Sequence, residues 1–225
     1  MQTSSFSLFH QNAPPKDSGN ERAPLLLLLH GYGANEDDLF GLAPYVDERF
    51  LVISARAPVQ IGLGMYGWFR LGFTERGILI DPSEVEQSRQ TLRGFVDEIL
   101  AAYPIDPNVV FLAGFSQGAM MSLDLALREP ELVTGVAAMS GRLMPSTLDK
   151  MAEPDRLTSL PIFIAHGTED PLIPINQGRA ARDSLSQLPV SLTYREYDIG
   201  HTISEESLRD VTEWLTQQLN QLMVH

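Results

Sequence analysis

The 225 residues suffice for a sizeable core, and 44% hydrophobic content is ordinary for a soluble globular chain. Sixteen Lys+Arg against 29 Asp+Glu give a net charge of −13, which repels phosphate backbones and anionic lipid and so argues against a nucleic-acid partner or a stable membrane anchor. With no cysteine, a disulfide framework, a Cys-ligated zinc and a cysteine nucleophile are excluded.

The opening "SSFSLFH" (4–10) alternates and predicts an edge strand, and the polar "QNAPPKDSGNERAP" (11–24) predicts a loop. "LLLLLH" (25–30) is the first of several continuous apolar runs. The others are "FLVISA" (50–55), "NVVFLAG" (108–114), "VTGVAAMS" (133–140) and "PIFIAHG" (161–167). Continuous runs suit parallel strands covered on both faces, whereas the alternating "VSLTYREY" (190–197) belongs near a sheet edge. Residues 56–80 lack clear periodicity and predict a long loop. Between the strands lie three helices. Residues 81–103 open on Asp81 and Pro82, and residues 115–130 end before Pro130. Residues 202–222 start with a capping-box pattern, Thr202 and Glu205, and carry the stripe Leu208, Val211, Leu215, Leu219 and Leu222. Strands alternating with helices predict a doubly wound, mostly parallel α/β sheet. No internal repeat or low-complexity linker divides residues 1–225, so a single domain is expected. The aliphatic run at 25–29 is too short to span a membrane and no signal-peptide pattern opens the chain, so a cytoplasmic protein is expected.

The chemistry starts at Gly114-Phe115-Ser116-Gln117-Gly118, which matches G-x-S-x-G after a strand and before a helix. A nucleophile there sits on a sharp turn, and side chains at 114 or 118 would crowd it. The bland reading is a Gly-Ser turn that starts a helix. Serine needs a base, and the base an orienting acid. His201, in "YDIGHTISEES" between the last strand and the last helix, is the candidate base. His166, at the end of a strand, reads as a packed structural residue, and His225 is set aside as terminal. Glu169 and Asp170 in "GTEDPLIP" are candidate acids. Asp198 is a rival that more naturally caps a turn. An oxyanion needs fixed N–H donors. The backbone N–H of Gln117 is one, and the glycine loop His30-Gly31-Tyr32-Gly33 offers the N–H of Tyr32 as the second. His30 itself reads as a loop-ordering histidine.

"LLHGYGANEDDL", "ARAPVQ", "GFSQGAMM", "GTEDPLIP" and "GHTISEES" together resemble the phospholipase/carboxylesterase family, the small serine esterases similar to acyl-protein thioesterases. The resemblance runs from about residue 25 to the C-terminus. It implies an α/β-hydrolase fold without a large cap domain. It also implies a triad of Ser116, Asp170 and His201, Tyr32 and Gln117 as oxyanion donors, and no metal or organic cofactor. Tyr32 and Ala34 stand where thioesterase-like members more often carry Leu and Asp, and 118–119 read "GA" rather than "GG"; both differences bear on the substrate more than on the reaction. Members of the family place the aromatic of a W-F/Y pair beside the acyl site. By that resemblance Trp68 and its neighbours Phe69, Tyr66 and Met65, with Phe73, are expected to line an apolar pocket; the competing reading is that they pin a long loop to the core. Met139 and Met144 read as core. The expected activity is hydrolysis of small or medium-chain carboxylic esters through an acyl-enzyme, with a small-molecule ester as partner and a homodimer left open. Thioester or lysophospholipid hydrolysis is the rival activity, and a non-catalytic ligand-binding scaffold the rival of another class.

Overall fold

Leu25, Leu27 and Leu29 enter one apolar cluster and Leu26 and Leu28 a second, so one leucine run serves both faces of a sheet. Each of the five is essentially inaccessible to water, contributing about 1.5–3 kcal/mol of burial. The computed structural model in which this is seen describes residues 6–16, 22–74 and 77–222, without the side chains of 73, 74, 77 and 78. Ser4, Ser5, His225 and the side chain of Phe73 therefore lie outside the described residues.

In chain order the strands are β1 (His10–Ala13), β2 (Ala23–Leu29), β3 (Leu51–Ala55), β4 (Val59–Gly62), β5 (Met65–Gly67), β6 (Leu71–Thr74), β7 (Gly77–Ile80), β8 (Ile105–Phe115), β9 (Gly135–Met139), β10 (Pro161–Gly167) and β11 (Ser191–Tyr197). The helices are α1 (Glu36–Phe40), α2 (Pro82–Ala102), α3 (Gln117–Arg128), α4 (Pro145–Leu148), α5 (Ile175–Leu185) and α6 (Glu205–Leu222). The main sheet runs β1-β3-β2-β8-β9-β10-β11. All its pairs are parallel except β1 with β3. Leu92, Phe95 and Ile99 of α2, Leu123 and Leu127 of α3 and Leu185 of α5 cover one face. Leu39 of α1 and Val211, Leu215 and Leu219 of α6 cover the other. This is an α/β-hydrolase architecture. Among the described residues, the insertions above it are the β4–β5 and β6–β7 hairpins rather than a cap domain. The strand order reverses direction at β2 and β8, which opens a crevice at their C-terminal ends.

Several sequence expectations need correction. The edge strand pairs through residues 10–13, from the last residue of the expected strand into the expected loop, with His10 opposite Ala55 and Ala13 opposite Val52. The alternation that misled there has another cause: Leu8 is buried and Phe6 packs edge-on against Phe95 of α2. Residues 56–80 form two hairpins, since glycines and aromatics gave no usable period. The last helix starts at Glu205. Its reciprocal cap is Ser204 with Ser207, where Ser207 N–H donates to Ser204 Oγ (3.1 Å) and Ser204 N–H to Ser207 Oγ (2.9 Å), not Thr202 with Glu205. Helix α5 has no counterpart among the expected elements, because Pro174 at its start and a thin apolar face (Ala181, Leu185) give it little signal in sequence.

The back of α3 is held by charge. Asp124 is fully buried and accepts from the Thr147 hydroxyl at 2.5 Å; burial pushes its carboxyl above the ordinary value. Nearby, a hydrogen bond from Arg89, aided by Arg128, holds the Glu86 carboxyl down to about 2.

Gly94 lies in the middle of α2 with open space where a Cβ would stand. Gly94→Ala should stabilise the protein by about 0.5–1 kcal/mol in urea denaturation, by removing glycine's backbone freedom from a helix; a loss of stability would show that this turn of α2 is not regular helix.

Candidate active site

The turn after β8 is governed by two glycines. A Cβ on Gly118 would lie 1.9 Å from the Leu29 carbonyl oxygen, and one on Gly114 would lie 2.4 Å from the Gly118 carbonyl carbon. The end of β2 and the start of α3 thus meet backbone to backbone. Ser116, between them, takes φ 53° and ψ −112°, a strained conformation for a residue with a side chain. Its N–H is held by Met139 O at 2.8 Å, at the end of β9.

His201 Nε2 lies 2.9 Å from Ser116 Oγ, and His201 Nδ1 lies 2.7 Å from Asp170 Oδ2. The other oxygen of Asp170 accepts the N–H groups of Leu172 (2.9 Å) and Ile173 (2.8 Å). A carboxylate that only accepts requires the proton on Nδ1, which leaves Nε2 of a neutral ring free to accept the serine hydroxyl. The Asp170 side chain is fully buried and the His201 side chain nearly so. The loop that carries His201 is seated on Gly167, where a Cβ would lie 2.3 Å from Ile199 O. Glu169 and Asp198 are exposed, and Asp198 receives the Thr168 hydroxyl at 3.4 Å. Of the candidate acids only Asp170 reaches His201.

The backbone N–H of Gln117 is the first of α3 and has no acceptor within the helix. Facing it across the crevice is the loop after β2. There Gly33 N–H donates to Tyr66 O and Ala34 N–H to Gly31 O, while Tyr32 N–H has no hydrogen bond among the described residues. His30 is buried. Its Nε2 accepts Ala57 N–H at 3.0 Å, so the proton is on Nδ1, which donates to Gly31 O at 2.7 Å. Burial pushes its pKa below the ordinary value. His30 therefore ties the glycine loop to the start of the 56–80 segment. His166 lies beneath the site, with Nε2–H donating to Ile173 O at 2.7 Å and its ring against Gly178. It thereby backs the turn that orients Asp170.

Trp68 and Phe69 correct the expected pocket. Both are 0% exposed, and Trp68 Nε1–H donates to His30 O at 3.0 Å. They pin the segment to the core and present no surface to a ligand. Tyr66 is half-buried, with Arg56 stacked on its ring at 4.7 Å, and Met65 stays 46% exposed. Met139 and Met144 are core. What sequence reasoning missed is the Gln117 side chain, which is buried and bonded to both Trp68 and Phe69. The only signal was an amide inside an otherwise small and apolar motif. Among the described residues no three His, Asp or Glu converge as a metal site, and no helix is long and apolar enough to cross a membrane. An apolar hollow of about 350 Å³, lined by residues including Phe40, Pro44 and Phe50, shares no residue with this constellation.

The family described as Phospholipase/Carboxylesterase matches residues 15–219. The chain is 30% identical to carboxylesterase SOBER1 of Arabidopsis thaliana, over 86% of this chain and 90% of that protein. It is 28% identical to acyl-protein thioesterase 1 of Kluyveromyces lactis, over 87% and 92%. The crystal structure of a Bacillus cereus carboxylesterase superposes with a TM-score of 0.79 at 27% identity, covering 94% of each chain.

Because a buried His30 must stay neutral, the unfolded chain takes up a proton near pH 6.5 that the folded chain refuses. Its contribution to stability is full above that value and is lost as the pH falls below it. His30→Gln should flatten the decline in urea-denaturation stability between about pH 7.5 and 5.5; a slope equal to that of the unchanged protein would remove His30 from the account.

Proposed function

Since this chain belongs to the phospholipase/carboxylesterase family, we propose that Ser116, His201 and Asp170 carry its ester hydrolysis, with the N–H groups of Tyr32 and Gln117 as the oxyanion hole. The protein is a serine-type carboxylic-ester hydrolase acting on small-molecule esters. The observation that supports the residue roles is the continuous contact from Ser116 Oγ to His201 at 2.9 Å and on to Asp170 at 2.7 Å.

The steps follow from those contacts. Ser116 Oγ attacks the ester carbonyl as its proton passes to His201 Nε2. Asp170 holds the ring by Nδ1 and stabilises the imidazolium that forms. The carbonyl oxygen, now negative, is received by the two backbone N–H groups, and the N-terminus of α3 adds a favourable dipole. The alcohol leaves with the proton from Nε2, giving the acyl-enzyme. Water, deprotonated by the same nitrogen, then attacks the acyl carbon. The acid departs and Ser116 regains its proton. All of this is assigned to one domain spanning residues 1–225, working in the cytoplasm without a nucleic-acid partner.

Thioester or lysophospholipid hydrolysis would use the same steps, and a relative named as a thioesterase at 28% identity keeps that reading in view. Rates on short- and long-chain p-nitrophenyl esters, an acyl thioester and a lysophospholipid order the substrates. Dominance of the thioester or lysophospholipid would replace the ester assignment. A non-catalytic scaffold would leave Ser116 unlabelled by a fluorophosphonate.

Ser116→Ala should fold normally, lose fluorophosphonate labelling and lose at least about 10⁴-fold in kcat. Asp170→Asn should retain the fold yet lose about 10³–10⁴-fold, because an amide can hold the ring in the wrong tautomer. A Ser116→Ala protein that still turns over short p-nitrophenyl esters would sink the assignment.

A further inference from the structure

Both N–H groups assigned to the oxyanion are braced by the same short segment, residues 66–69. On the side of Tyr32, Gly33 N–H donates to Tyr66 O and Tyr66 N–H donates to Ala34 O, each at 2.8 Å. These two bonds form an antiparallel bridge between the glycine loop and strand β5. On the side of Gln117 the contact is through its own side chain. Oε1 accepts Trp68 N–H at 2.6 Å, and Nε2 donates to Phe69 O at 2.7 Å. Gln117 is buried, so this amide is not available to a ligand. Between the two contacts lies Gly67. A Cβ built there would stand 2.8 Å from Cδ2 of Tyr32 and 3.2 Å from Oε1 of Gln117.

The segment is itself fixed. Trp68 Nε1–H donates to His30 O, and the Ser88 hydroxyl of α2 donates to Trp68 O. A side chain that accepts from one backbone group and donates to the next must be an amide at this length. A glutamate would set an anion against the Phe69 carbonyl, and a methionine would fill the space with neither bond.

We propose that the Gln117 side chain and Gly67 are positioning elements that set the separation of the Tyr32 and Gln117 N–H groups. The Gln117 side chain thereby aims the N–H of its own residue. Residues 66–69 act as a spacer clamped at both ends, and the missing side chain at 67 lets the two donors close on one oxygen. The proposal rests on the reading of those N–H groups as the oxyanion hole. It also gives the aromatic stretch a role that does not require it to touch substrate.

The test compares Gly67→Ala and Gln117→Met with the unchanged enzyme on a short p-nitrophenyl ester. Rates are taken per active site counted by fluorophosphonate titration, so a smaller folded fraction does not enter. A trifluoromethyl ketone, whose hemiketal oxygen occupies the hole, serves as the second probe. Displaced donors should lower kcat about 10- to 100-fold with KM within about threefold, and weaken the ketone by the same factor as kcat/KM. Unchanged kcat per site and unchanged ketone affinity in both variants would overturn the proposal. So would a loss confined to KM. If instead the unchanged enzyme is not labelled, or Ser116→Ala stays active, the underlying assignment of the site fails; labelling of the unchanged enzyme with two unaffected variants sinks the spacer alone.

Discussion

The arrangement depends on one close approach, the Cα of Gly118 against the carbonyl of Leu29. No side chain fits there, so the first turn of α3 comes down onto the end of β2. That fixes the distance between the two loops flanking the crevice. It forces the chain through the tight turn at Ser116, and it sets the N-terminus of α3 opposite the glycine loop. The strain at Ser116 persists because the sheet on one side and α3 on the other over-determine it. The buried leucines of β2, interlocked with both helical layers, resist any shift that would relieve it.

Proton placement then follows from the arrangement of hydrogen-bond acceptors. Asp170 uses one oxygen for two backbone N–H groups and the other for His201, so its carboxylate cannot turn. The ring of His201 is also flanked by Phe115, with centroids 4.8 Å apart. His166 and His30 use the same device one layer further out. Each binds a backbone carbonyl by one nitrogen, and each steadies a loop on which the site depends.

Signals that live in a short window were legible. The glycines around Ser116, the apolar runs of the parallel sheet and the alternation that put 190–197 at its edge all depend on local period or local sterics. The glycine loop is a signal of the same kind, whereas the grouping of Ser116, Asp170 and His201 rests on chain order and family resemblance rather than on any local window. The residues that misled are those whose role is set across the fold. Trp68 and Phe69 look alike in sequence whether they line a cleft or fill a core, and only α2 and His30 decide it. The role of the Gln117 side chain leaves no local signal, because its two partners lie 48 and 49 positions away. The segment 11–13 reads as a loop because β1 is only half-buried and polar, held by pairing with β3 rather than by apolar burial.

The three side chains stand 85 and 31 positions from one another along the chain, on loops after β8, β10 and β11. Contacts of such long range form late, after the loop-closure entropy of the intervening chain has been overcome. On the proposed assignment of the site, a nascent or partly collapsed chain therefore carries a serine still without its base. On that assignment Ser116 Oγ meets His201 only once β10 and β11 have joined the sheet, so acyl-enzyme formation would report that the C-terminal third has docked.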